Sequence, residues 1–196
     1  MAEEAVGLEH SSGRLLSLID QVLHAAGIRP RDLDALVGLR GPGSFTGLRV
    51  GLATLQGMQQ SLQIPAATLS TFEVLASLVA PDGTIIVACV DALRGQWLAQ
   101  GFLSGTPPTP IDEARQCSAE EILTAPTSQI IGFGSSRLDR EIAERGNVVV
   151  VEPGPLAGQA LRLLSTGLAD WHADSLTKPL YLRPPAVGTP SRPRRS

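Results

Sequence analysis

The run Gly41-Pro42-Gly43-Ser44-Phe45-Thr46-Gly47-Leu48-Arg49-Val50-Gly51 gathers glycines, hydroxyls and a cation at a spacing suited to anion chemistry. It follows an apolar stretch, Ala35 to Leu39, and leads into an amphipathic segment that ends near Leu62, a pattern that predicts a strand turning through glycines into a helix. Such turns commonly cradle phosphates, because main-chain N–H groups and the positive end of the helix converge there. Two familiar versions do not fit. A Walker loop requires a lysine after its last glycine, and the single lysine of this chain is Lys178. The dinucleotide fingerprint requires a third glycine where Thr46 stands. Two readings of the residues stay open: an altered phosphate cradle, and a tight strand-to-helix turn that needs a positive φ.

Other chemistry-bearing residues are scattered. His10, His24 and His172 form no metal-ligand spacing, and no metal is expected. Ser44, within Gly-Ser-Phe-Thr-Gly, lacks the spacing of a nucleophile elbow. Asp91 precedes a turn at Leu93-Arg94-Gly95, where a phosphotransferase would place a phosphate or Mg²⁺ contact; the residues favour an Asx turn that stabilises a hairpin.

The elements that must position these residues alternate in type. Ser11 to Ala26 reads as a helix with Leu15, Ile19, Val22 and Ala26 on one stripe and Leu16 and Leu23 beside it, ended by Gly27. The helix that begins in the glycine run carries Leu48, Leu52, Leu55 and Leu62 on one face. Gly47 and Gly51, four apart, leave a flat strip on it. Ser70-x-x-Glu73 is a capping box opening a third helix to about Val79, and Pro81-Asp82-Gly83 is a turn and lobe boundary. Thr84 to Val90 reads as a buried central strand, with a hairpin returning through Trp97 to Leu103 and a loop over Gly105 to Ile111. Ser118-x-x-Glu121 caps a short helix. Gln129 to Phe133 and Val148 to Val151 are strands with a helix between them, and another helix runs from about Pro155 to Leu168. The alternation gives an α/β class, with residues 1–82 as one lobe, 83–184 as a second and 185–196 as a basic, proline-rich tail without an apolar repeat.

The chain has 196 residues, of which 43% are hydrophobic and 18% charged, the balance of a globular protein. Its net charge of −3 leaves no overall nucleic-acid footprint, although Arg192, Arg194 and Arg195 stand in a tail without acids. Cys89 and Cys117 imply no disulfide framework. No apolar stretch reaches membrane-spanning length and the start is no signal peptide, so a cytoplasmic location is expected.

Four segments in order carry a resemblance to one family. Gly41 to Gly51 resembles the signature of the TsaB (YeaZ) family of tRNA threonylcarbamoyladenosine biosynthesis. His10-Ser11-Ser12-Gly13-Arg14-Leu15-Leu16, Asp91-Ala92-Leu93-Arg94-Gly95-Gln96 and Pro179-Leu180-Tyr181-Leu182-Arg183-Pro184 are similar to its other motifs. The resemblance implies a two-lobed fold of the actin, sugar-kinase and Hsp70 (ASKHA) type. It also implies a non-catalytic subunit that pairs with TsaD, works with TsaE and meets tRNA indirectly, or forms a homodimer. Pairing in the family uses the two helices Ser11–Ala26 and Ser44–Leu62, which makes Leu15, Leu16, Ile19, Val22, Leu23, Phe45, Leu48, Leu52 and Leu55 the expected interface. No cofactor is expected, a weak nucleotide contact at the complex interface aside. Family members open with a strand ending in an Asp-Thr-Ser-Thr-like turn and a second strand, whereas Met1 to Leu8 looks like the third strand; the expectation is a natural start upstream. The competing readings are a nucleotide-dependent phosphotransferase or peptidase-like enzyme on the same fold, and a homodimeric scaffold without TsaD.

Overall fold

The computed structural model describes residues 11–92, 95–127, 129–133, 138, 149–151, 153–172 and 174–182. Expectations for Met1 to Leu8, Arg94, the helix between Phe133 and Val149, and residues 183–196 lie outside that set.

The first layer is built from α1 (Ser11–Ala26), β1 (Leu36–Leu39), α2 (Phe45–Leu62) and β2 (Ala66–Leu69). Strands β1 and β2 run parallel with Leu36 opposite Ala66 and Leu39 opposite Leu69, so α2 is the crossover between them. β2 was not foreseen: four small or apolar residues after Pro65 carry no alternation, and all four are buried.

Helix α3 (Thr71–Ala76) follows at once. Ser70 caps it with its hydroxyl, and the Glu73 carboxylate accepts the Ser70 N–H at 2.7 Å, completing the expected box. It ends at Ala76 and not Val79, because the chain turns over residues 77–79. Thr71, Phe72, Val74, Leu75 and Ala76 are all buried, so this short helix is held by packing on both sheets, which offsets its poor intrinsic stability.

The second layer holds β3 (Ile85–Asp91), β4 (Gln96–Leu103), β5 (Thr109–Pro110), β6 (Arg115–Ser118), α4 (Ala119–Thr124), β7 (Gln129–Phe133), β8 (Val149–Val151) and α5 (Ala157–Leu164). Its six strands run in the order β5-β4-β3-β7-β8, with β6 also on β4. β3 and β4 are antiparallel; β3, β7 and β8 are parallel. The stretch 105–111, expected as a loop, includes β5, and β6 was likewise not foreseen; both are short edge pieces of mixed polarity that only their pairing to β4 makes strands. The capping box of α4 is present, the Glu121 carboxylate accepting the Ser118 N–H at 2.7 Å.

One apolar core joins the layers. Ala67, Leu69, Phe72 and Leu75 pack with Ile86, Ala88, Phe102, Ile131, Leu156 and Leu163. Val87, Cys89, Trp97, Ala99, Cys117, Ile122, Ile130 and Leu138 form a separate core on the far face of the larger sheet. After α5 the chain returns to the first layer. Thr68 and Asp170 exchange two main-chain hydrogen bonds, and Leu176 is buried with Leu52 and Ala66. Residues 169–172 and 174–182, read from sequence as part of the second lobe, therefore pack on the sheet of the first.

Candidate partner-binding face and signature loop

The glycine run is held from three sides. Arg40 donates its N–H to Leu69 O at 2.9 Å, Gly41 O accepts the Thr71 N–H at 2.8 Å, and Arg40 O accepts the Leu180 N–H at 2.6 Å. Gly41 has φ +106°, and a Cβ there would lie 2.9 Å from a Leu48 methyl and 3.1 Å from Leu180 O, so both conformation and space require glycine. Ser44 caps α2, its hydroxyl accepting the Gly47 N–H at 3.3 Å. Pro42 has no N–H to offer an anion. The positive φ and close packing at Gly41 are those of a tight strand-to-helix turn.

Helix α2 has a single charged residue, Arg49, in 18. The Arg49 Nε donates to the Tyr181 hydroxyl at 3.0 Å. Its guanidinium lies 4.1 Å from the centre of the Phe45 ring, and the Phe45 and Tyr181 rings are 5.0 Å apart. Thus the signature run and the Pro179-Leu180-Tyr181 motif, far apart in sequence, make one stack. Tyr181 belongs to the Pro179–Pro184 motif, yet no spacing rule links it to Arg49.

The expected interface residues divide by burial. Leu52 (4% exposed) and Leu55 pack against Leu36, Ala66 and Leu176, and Leu48 lies over the glycine turn. Leu23, expected at the edge of its stripe, is the most enclosed of the α1 leucines at 7%. Leu52 and Leu23 are thus enclosed within the protomer, while Leu48 and Leu55 are half-buried. Leu16 is 66% exposed, and Leu15, Ile19 and Val22 are half-buried. The helix turns its other side outward: Thr46, Ala53 and Gly57 are exposed, Val50 and Thr54 half-buried, and a Cβ on Gly51 or Gly57 would meet nothing within 4 Å.

Asp91 ends β3 opposite Trp97, and the hairpin beyond it is closed by Ala92 N–H donating to Gln96 O at 2.9 Å. Burial pushes the Glu73 carboxyl above its ordinary range, against the opposing pull of the Ser70 N–H and the Arg40 charge. Cys89 and Cys117 are free and buried, and burial raises the Cys117 thiol. A cleft of about 320 Å³ beside β4 and α4 is lined by Ile85, Ile111, Asp112, Arg115 and Glu121 among others. Its charges are already paired: Asp112 accepts from Gly101 N–H and Arg115, and Glu121 caps α4. Among the described residues no three His, Cys, Asp or Glu side chains gather as a metal site, and no helix is long and apolar enough to cross a membrane.

A parallel strand-turn-helix layer sharing a core with a larger mixed sheet fits an α/β fold of the ASKHA-like class. YeaZ from Pseudomonas aeruginosa superposes with a TM-score of 0.70 over 91% of this chain and 87% of its own, at 24% identity. A second structure from that organism, an uncharacterized protein with similarity to peptidase YeaZ, gives 0.68 over 92% and 87% at 23% identity. The family model described as TsaD, tRNA N6-adenosine threonylcarbamoyltransferase, matches residues 5–122. The tRNA threonylcarbamoyladenosine biosynthesis proteins TsaB of Bacillus subtilis (strain 168) and Escherichia coli (strain K12) are each 33% identical, over 88 and 90 residues. These alignments take in 45% of this chain and 38% of each relative. The chain belongs to the family so matched, and it spans well under half the length of the TsaB relatives it resembles.

Proposed function

We propose that this chain is a supporting, non-catalytic subunit in the synthesis of threonylcarbamoyladenosine on tRNA, pairing with TsaD and, through that pair, meeting TsaE and tRNA. The observation that carries the reading is the outward face of α2. An 18-residue helix with one charge, itself turned to Phe45 and Tyr181, leaves Thr46, Val50, Ala53 and Gly57 facing away from the core. Small uncharged side chains let a second helix approach closely, and the neighbouring Leu16 on α1 adds exposed apolar area. The same face would serve a homodimer in the absence of TsaD.

The test is sedimentation of the chain alone and mixed with TsaD from the same organism, with circular dichroism to establish folding. A heterodimer that is lost in Ala53→Glu supports the reading. A folded chain that sediments unchanged in the presence of TsaD overturns it.

A further inference from the structure

We propose that residues 169–172 and 174–182 form a clasp that sets the position of the first turns of α2, with Tyr181 as its latch and Arg49 as the positioning residue on the helix. The inference deepens the pairing role proposed above and rests on it for its functional consequence.

The segment holds to the first layer through four residues. Asp170 exchanges main-chain bonds with Thr68 at 2.9 and 3.0 Å, Leu176 is buried beside Leu52, Leu180 donates to Arg40 O, and Tyr181 meets Phe45 and Arg49. Between these points its regular structure is one 3-10 turn, Ser175–Thr177, so its own placement depends on the contacts it makes. Leu176 and Tyr181 touch α2 itself, against Leu52 and against Phe45 and Arg49. Leu180 fixes the strand end from which the glycine turn departs. Phe45 and Arg49 stand one helical turn apart and share Tyr181. A shift of the helix start along or about its axis breaks the hydrogen bond and both ring contacts together. Thr46 and Val50, on the proposed pairing face, lie in these same turns, so the latch and the face move as one body.

Hydrogen exchange of the full chain, without any partner, reads the clasp. Amides 48–52 of α2 are the reporter, and amides 86–90 of β3 are the internal reference. Tyr181→Ala is expected to speed exchange in α2 about tenfold while β3 keeps its protection, the scale of one lost charge-assisted hydrogen bond with its stacking. Tyr181→Phe keeps the ring and is expected to rescue much of that loss; Arg49→Lys, which loses the planar stack, is not. Exchange in α2 within twofold of wild type, or an equal rise in β3, overturns the clasp. Sedimentation with TsaD then separates the two claims. If wild type pairs and Tyr181→Ala pairs as tightly, the latch does not position the face. If wild type itself does not pair while α2 alone loosens in the variant, the pairing reading fails and the clasp stands.

Discussion

Leu55 on α2 fills the space that a side chain at Gly38 on β1 would need. Strand and helix can come that close because Gly38 presents no side chain to the helix that crosses β1. A Cβ at Gly38 collides with the end of the Leu55 side chain, which rotation of that leucine can relieve. The two γ-methyls of valine leave no such escape and lift the helix. Gly38→Val is therefore expected to lower unfolding stability by about 1–3 kcal/mol, the usual cost of overpacking, and Gly38→Ala by less. Chemical denaturation of both variants checks the order; a valine variant as stable as wild type would contradict the packing.

Leu52 and Ala53 are neighbours in sequence with opposite duties. Leu52 is buried among Leu36, Ala66 and Leu176, so Leu52→Ala is expected to cost about 2–5 kcal/mol of stability whatever its effect on pairing. Ala53 is exposed, and Ala53→Glu is expected to leave stability within about 0.5 kcal/mol while abolishing association. Denaturation midpoints set beside sedimentation of the two variants separate folding from pairing. An Ala53→Glu chain that is folded and still pairs would move the interface elsewhere.

The sequence made the local devices legible. The caps at Ser70 and Ser118, the glycine turn before α2 and the buried strand 85–91 each follow from residues a few positions apart. What it concealed depends on partners far away. β2, β5 and β6 are too short to show alternation and exist through their neighbours in the sheet. The apolar stripe of α2 pointed to a covered face without saying what covers it; that β1 and Leu176 enclose Leu52 shows only once they are placed. The return of residues 169–172 and 174–182 to the first layer carries no local signal at all, and with it went the meeting of Arg49 and Tyr181.

Glu73 gives the chain a pH dependence of a definite sign. Burial raises its carboxyl above the unfolded value, so the folded state takes up the proton first as pH falls. The stabilisation linked to that proton is fully present below the unfolded pKa, about 4.3. It is lost as pH rises through the higher folded value. Glu73→Gln keeps an oxygen acceptor for the Ser70 N–H but cannot titrate. Wild type is thus expected to gain stability relative to Glu73→Gln on acidification from neutral pH through this window. Denaturation series at several pH values measure the difference, and a relative loss would reverse the sign of the argument.

Thr68 anchors the returning segment through its main chain alone. Its N–H and C=O both bond Asp170, while its side-chain oxygen is buried and meets no hydrogen-bond partner among the described residues. A buried hydroxyl without a partner costs about 1–3 kcal/mol, whereas an apolar group of similar shape does not. Valine keeps the β-branched form that suits a strand and leaves the exchange with Asp170 intact. Thr68→Val is therefore expected to raise stability by about 1 kcal/mol. Thr68→Ser retains the hydroxyl and removes a buried methyl, and is expected to lower stability by about 0.8 kcal/mol. The opposite order in denaturation experiments, with serine tolerated and valine destabilising, would mean that the Thr68 hydroxyl is engaged and that the clasp is held at this point by its side chain as well.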